Sequence, residues 1–372
     1  MLPVFSLDAA QKKDFAARLL SWFAASMRPL PWRETYDPYS VWVSEIMLQQ
    51  TQMERGVAYF TNWMRRFPTI ASVAEADEET VLKAWEGLGY YSRARNLHAA
   101  AKQIMERHNG LFPRAIEDIR ALPGVGEYTA GAIASIAFNE PHPAVDANVM
   151  RIFSRICDID VPLTHPGVRA FVTDAVRSLT PGDSPRLFSQ ALMELGALVC
   201  AKKPDCPACP LSGYCEAHRL GTAAKRPKPK SKVVYSSIEM STGIVMRGDL
   251  VFIQKRPPYG VWAGLWEFPG GCLEPGETPE EALVREVMEE TELLVSVRNK
   301  VAVIRHSYTT CRVTMNAYHC NLLDTQKEPV LHAAVEGKWV PPEEIVNYAF
   351  PAGHRKLLEM IGWTGGRETN RA

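Results

Sequence analysis

A helical domain followed by an α+β domain is the architecture this sequence predicts, and three observations carry it. Apolar residues recur at three- and four-residue steps from Ser6 to about Arg219, the spacing of amphipathic helices. A Pro- and Lys-rich run, Lys225-Arg-Pro-Lys-Pro-Lys-Ser-Lys232, then interrupts the pattern; it has no apolar side chain to bury and reads as an extended linker. Beyond it the apolar runs are short and β-type, with one helical stretch among them. The expected organisation is a helical domain over 1–219, a basic linker over 220–232, an α+β domain over 233–365 and a tail over 366–372.

Taken in order, Leu7, Phe15, Leu19, Leu20 and Phe23 mark the first helix. The same pattern predicts helices over Val41–Met53, Val81–Trp85, Leu97–Met105, Thr129–Phe138, Val149–Ile156 and Leu187–Val199. Pro and Gly punctuate them, as in Leu122-Pro-Gly-Val-Gly126. In the second part, strands are expected over Val233–Met240, Thr242–Met246, Leu250–Ile253, Val295–Arg305 and Val313–Leu322, with a helix over Pro279–Glu290.

The chain has 372 residues, enough for two or three domains at roughly 100–200 residues each. Its formal net charge is zero, yet residues 1–232 hold 28 basic against 24 acidic side chains and the remainder 14 against 18. The positive excess is concentrated between 151 and 232, with 13 basic against 7 acidic, so neutrality does not exclude a nucleic-acid partner. No apolar run is long enough for a membrane span and the N-terminus does not read as a signal peptide. Eight cysteines are too few for a disulfide scaffold in so long a chain. The expected location is the cytoplasm and the expected state a monomer.

Four of those cysteines cluster as Cys200-x5-Cys206-x2-Cys209-x5-Cys215. Thiolates so closely spaced call for a common metal partner; zinc and an iron–sulfur cluster both satisfy four sulfurs, and spacing alone does not choose. Lys202, Lys203 and Arg219 surround them, which suits a loop near phosphates.

Residues 119–133 read as helix, Gly-Val-Gly hairpin, helix. Gly124, Val125 and Gly126 would turn backbone N–H groups toward a phosphate at a positive helix end, with no base readout. Asp146 follows in Ala144-Val-Asp-Ala-Asn-Val149. This combination resembles the helix–hairpin–helix DNA glycosylases. Pro31-Trp-Arg33, Val41-Trp-Val-Ser-Glu-Ile-Met-Leu-Gln-Gln-Thr-Gln52 and Gly87-Leu-Gly-Tyr-Tyr-Ser-Arg-Ala-Arg-Asn-Leu97 are similar to the adenine-specific MutY branch. Tyr128 stands where the related endonuclease III enzymes carry a nucleophilic Lys.

The resemblance implies base-excision repair: a monofunctional enzyme that flips adenine from duplex DNA opposite 8-oxoguanine or guanine and hydrolyses its glycosidic bond. Glu45 would be the acid and Asp146 the partner of the cationic sugar, with Tyr128 and Asn148 beside them. Such a reaction needs one carboxyl to protonate the base and one to face the oxocarbenium ion. Glu45 lies among Trp42, Val43, Ile46 and Met47, where burial would raise its pKa; an ordinary exposed helix position is the alternative. For Asp146 the alternative is an N-cap of the following helix. Trp32, Arg33 and Gln190 match adenine-pocket positions, and Gln50 and Tyr90 the intruders into the vacated stack, with Leu88 nearby. The four cysteines match the family's loop for a four-iron, four-sulfur cluster, one residue short in the first gap. An endonuclease III-type lyase is the less favoured reading, because of Tyr128 and Glu45.

Gly271-x5-Glu277-x7-Arg285-Glu-Val-Met-Glu-Glu-Thr-Glu-Leu293 resembles the Nudix box, with Glu292 in place of the usual Gly. That implies Glu286, Glu289 and Glu290 as Mg²⁺ ligands if the box is active. Two roles follow: a lesion-recognition domain with an inherited acidic helix, or a working hydrolase for oxidised nucleoside triphosphates. The lesion-reading hairpin is expected at Tyr308, Thr309 and Thr310; polar decoration of an edge strand is the alternative.

Overall fold

Described residues are 2–229, 235–308 and 310–364 of a computed structural model, with the side chain of Tyr308 left aside. The chain forms two compact units: Met1–Glu75 with Asn96–Lys232, and Ala76–Arg95 with Val233–Ala372. The sequence alone predicts no such interruption of the helical part.

The first unit contains α1 (Ala9–Ser26), α2 (Pro38–Leu48), α3 (Met53–Arg66) and α4 (Ile70–Glu75). After α5 (Glu78–Trp85), which belongs to the other unit, come α6 (Ser92–His108), α7 (Ile116–Arg120), α8 (Glu127–Phe138) and α9 (Ala147–Ile156). The series ends with α10 (Val168–Leu179), α11 (Pro185–Leu198) and the single turn α12 (Glu216–Arg219). Asp8 caps α1 with a full capping box, and Asp37 and Asp146 cap α2 and α9 by accepting from the backbone amide three residues on. Phe15, Leu19 and Phe23 of α1 meet Phe153 of α9 and Phe188, Leu192 and Leu195 of α11 in one core.

One expected helix is two. The run predicted over Val41–Met53 breaks after Leu48, where Gln50 takes a left-handed φ of 58°. Helix α2 is buried along nearly its whole length, from Tyr39 to Met47 except Ser40, which carries Glu45 into the interior rather than to an exposed face. Residues 223–229, read from composition as free linker, are fixed instead. Arg226 is buried and pairs with Asp158 at 2.9 Å and Asp160 at 2.7 Å, and Lys228 reaches Asp160 at 3.0 Å. Composition could not foresee these partners, because they lie some 70 residues upstream. The rest of the linker, 230–232, falls outside the described residues, as does the tail over 366–372.

The second unit is built on a mixed sheet of β1 (Ser236–Arg247), β2 (Leu250–Lys255), β3 (Trp266–Glu267), β4 (Val295–Tyr308), β5 (Cys311–Leu322) and β6 (Glu336–Val340). The order is β3-β2-β1-β5-β4, with β6 also on β2; β1 and β5 run parallel and the other pairs antiparallel. Helix α13 (Pro279–Thr291) closes one face through Leu283 and Val287, and α14 (Ala352–Met360) closes the other through Leu357 and Leu358. Helix α5 joins this unit by polar contacts: Lys83 donates to the Tyr348 carbonyl, Glu86 accepts from Phe350 N, and Glu79 pairs with Lys255. Strand β4 is a sheet edge, so the polar-edge alternative for residues 305–308 stands beside the lesion-reading one. No helix among the described residues is long and apolar enough to cross a membrane.

Candidate active site

A cavity of about 570 Å³ opens in the first unit, lined by Trp32, Arg33, Glu45, Gln50, Tyr128, Asp146, Asn148 and Gln190 among others. Eight positions predicted as catalytic or substrate-binding therefore meet in one place, a volume typical of small-ligand sites. They come from separate elements: the turn at Pro31–Arg33, α2 and the turn after it, α8, the N-cap and first turn of α9, and α11.

Glu45 is only 7% exposed, and burial pushes its carboxyl up to about 7; the Tyr128 hydrogen bond works against that rise and the charge of Asp146 adds to it. Tyr128 Oη donates to Glu45 Oε2 at 2.5 Å, and burial raises the phenol well above its ordinary range. A carboxyl poised near neutrality is suited to giving and taking a proton.

Of the two readings of Asp146, the N-cap of α9 is observed: the side chain accepts from Val149 N at 2.8 Å, and it also lines the cavity. Burial raises its pKa, opposed by the hydrogen bonds from Val149 and Asn148. Asn148 Nδ2 donates to Asp146 Oδ2 at 2.8 Å, and Asn148 Oδ1 accepts from Arg151 Nη2 at 2.7 Å. Arg151 in turn donates to the carbonyls of Gly196 and Cys200. The chain of bonds thus runs from Asp146 to the backbone of the first clustered cysteine. Gly196 must lack a side chain for this: a Cβ there would come within 2.5 Å of the Asn148 side chain.

Sequence reading missed Glu194 and Arg28. Glu194 is buried at 1% exposure and lines the cavity, accepting from Arg28 Nε at 2.6 Å and Arg33 Nη2 at 2.9 Å. Burial alone would raise this carboxyl, but the hydrogen bonds from Arg28 and Arg33 outweigh it and hold it low. The signal was available: an acid inside the apolar stretch Ala191-Leu-Met-Glu-Leu195 must find a partner. Trp32 packs edge-on against Phe60, and Gln190 Nε2 donates to the Arg186 carbonyl, so Gln190 is at once a satisfied helix residue and a wall of the cavity.

At the hairpin Gly124 has φ 76°, and a Cβ there would strike Asn96. Val125 departs from its expected part. Its amide donates to the Leu122 carbonyl and its side chain is buried, so it shapes the turn and has no free N–H to offer. Gly126 N-caps α8. In the second unit, Leu88 is buried and Tyr90 is 45% exposed.

The four clustered cysteines line one small apolar cavity with Arg155 and His218. Burial raises Cys209 to about 11 and raises Cys215 as well. Arg155, fully buried, donates to the carbonyls of Cys200, Ala201, Lys202, Ala223 and Arg226 and to Cys200 Sγ. No group of three or more His, Cys, Asp or Glu among the described residues is arranged to hold a single metal ion.

In the acidic box, Arg285 pairs with Glu277, Glu286 and Glu289. Glu290 turns away to accept from Gln254 and from Gly270 N. The three residues expected to converge on Mg²⁺ are thus engaged with protein donors. Glu292 takes the left-handed φ of 55° that the family's Gly would take, and pairs with His332 and Lys327. Thr309 lies outside the described residues.

Helices, hairpin and cavity define the class: residues 43–168 match the HhH-GPD superfamily base excision DNA repair protein family, and residues 241–360 match the NUDIX domain. The mouse adenine DNA glycosylase is 32% identical over 409 residues, covering 95% of this chain and 79% of that protein. The human adenine DNA glycosylase is 31% identical, over 95% of this chain and 75% of its own. A solved thermostable thymine-DNA glycosylase superposes with a TM-score of 0.52 at 28% identity, covering 57% of this chain and all of the other. The chain belongs to the adenine DNA glycosylase family, enzymes of base-excision repair that hydrolyse the N-glycosidic bond of adenine in DNA.

Proposed function

We propose that this enzyme is a monofunctional glycosylase acting on adenine opposite 8-oxoguanine or guanine in duplex DNA. The observation that carries the reading is the pairing of a protonatable Glu45 with Asp146 in one cavity, each held by its own donor.

Glu45 gives its proton to a ring nitrogen of the flipped adenine, and the bond from C1′ to the base breaks with its electron pair leaving on the base. Positive charge develops on the sugar, and the Asp146 carboxylate faces it, as a stabiliser or a transient covalent partner. Glu45, now ionised, takes a proton from the water that adds to C1′. Tyr128 holds Glu45 through its hydroxyl, and Asn148 orients Asp146. No amine stands at position 128 to form a Schiff base, so strand cleavage is not part of the cycle. Trp32, Arg33 and Gln190 hold the base. Gln50 and Tyr90 fill the space it leaves, and the amides of Gly124 and Gly126 bind phosphate. Tyr308 and Thr309 contact the opposing lesion.

Cys200, Cys206, Cys209 and Cys215 fit a four-iron, four-sulfur cluster. All four line one cavity, yet no three are gathered tightly enough for a single tetrahedral ion, whose ligand bonds would be about 2.3 Å long. A cluster would brace the loop that carries Lys202 and Lys203. The deciding experiment is single-turnover adenine release from 8-oxoguanine·A, G·A and T·A duplexes, comparing wild type with Glu45→Gln. Equal rates for the two proteins would remove the assignment of Glu45, and equal rates on all three duplexes the mispair preference.

A further inference from the structure

Residues 87–90 form an unusual turn. Gly87, Gly89 and Tyr90 all have positive φ, at 96°, 72° and 48°. For a tyrosine that conformation is disfavoured, and it persists only where surrounding contacts over-determine it. Those contacts converge on Arg93. Its Nη2 donates to the carbonyls of Leu88 at 3.2 Å and Gly89 at 3.1 Å. Its guanidinium lies 5.2 Å from the Trp85 ring centre and 5.8 Å from that of Tyr90. Trp85 Nε1 also donates to the Gly89 carbonyl. Burial lowers the Arg93 pKa to about 10, which leaves it cationic at neutral pH.

The outcome is a half-exposed aromatic ring held over a half-buried cation, on a loop pinned at two successive carbonyls. A free tyrosine would lose rotamer freedom on entering a base stack; one already held in place loses less. We infer that Arg93 is the positioning residue for Tyr90, setting the ring as a rigid wedge before DNA arrives, through two carbonyl hydrogen bonds and a cation–π contact. The inference rests on the reading that Tyr90 enters the duplex. Arg93 touches neither adenine nor the reacting sugar in this scheme; it acts through Tyr90 alone. Lysine at this position would keep the charge but lose the planar fork that bonds two carbonyls and stacks on a ring.

A double-mutant cycle tests it, with the full-length protein and a duplex carrying 2-aminopurine opposite 8-oxoguanine. Fluorescence of the unstacked 2-aminopurine reports flipping, and titration of the same duplex reports affinity. Arg93→Ala is expected to weaken both by about tenfold, the scale of a desolvated cation–π contact with its hydrogen bonds. Arg93→Lys should fall between the two, and serves as the probe if the alanine variant does not fold. In a Tyr90→Ala background neither change at 93 should add a further loss. Additive losses would overturn the proposal, since Arg93 would then be acting on phosphate or on the fold at large. Wild-type flipping in Arg93→Ala beside a defective Tyr90→Ala would also overturn it. Wild-type behaviour of Tyr90→Ala itself would instead remove the wedge reading beneath it.

Discussion

Tyr128 donates its hydroxyl proton to the very carboxyl of Glu45 that burial has raised to about 7. The bond favours the ionised form and so restrains the rise. In Tyr128→Phe that restraint is gone, and Glu45 should titrate higher still. Activity that needs protonated Glu45 falls as pH rises through its pKa. The alkaline limb of the single-turnover profile should therefore move up, by about one pH unit for a hydrogen bond of this kind. A limb that stays in place or moves down would separate Glu45 from the proton donor.

The same raised pKa costs stability. A carboxyl at about 7 when folded and near 4.5 when unfolded binds more protons in the folded state between those values. Stability is therefore greatest below pH 4.5 as far as this group is concerned, declines through the window, and is flat above it. Glu45→Gln should remove that slope and be more stable than wild type at pH 8 by about 3 kcal/mol at most. Denaturant melts at pH 5 and pH 8 for both proteins measure it.

Position 128 also bears on strand cleavage. Wild type should give no strong borohydride-trapped complex with DNA. Tyr128→Lys places an amine in the cavity, where it can condense with C1′ with loss of water to give an imine that borohydride reduces. Trapping in the variant and not in wild type is the expected gel result.

Arg155 should matter to the cysteine loop out of proportion to its distance from adenine chemistry. Arg155→Leu would strand five buried or part-buried carbonyls, at a cost on the order of 3 kcal/mol or more. Lower iron content and weaker absorbance near 400 nm should accompany a lower melting temperature.

For the acidic box, Mg²⁺ and 8-oxo-dGTP should yield no pyrophosphate beyond a Glu289→Gln control. Arg285 holds three of its carboxylates, and Glu292 at the helix C-cap is ion-paired with Lys327 and His332. Release above the control would make the chain bifunctional.

Much of this was legible from local pattern. The hairpin, Asp146 and Glu45 are short-range features, and each landed on the element its neighbours predicted. Long-range partnerships were not. Glu194 finds Arg28 across 166 residues and Arg226 finds Asp158 across 68, and nothing in composition encodes such distances. The break at Gln50 was invisible for another reason: apolar periodicity continues straight through it, while the backbone turns left-handed. Residues 76–95 read as one more stretch of helical domain, because their attachment to the second unit depends on single carbonyls such as those of Tyr348 and Phe350.

The ion pairs of Arg226 decide where this gene can be cut. A fragment stopped at Arg219, where the helical texture ends, would discard the Ala223 and Arg226 carbonyls that Arg155 uses, and the guanidinium that offsets Asp158 and Asp160. Nine more codons, to Lys228, restore every one of these groups. What composition marks as spacer is, for its first part, the hem of the glycosylase, and an expression boundary drawn by eye from prolines and lysines would fall on the wrong side of it.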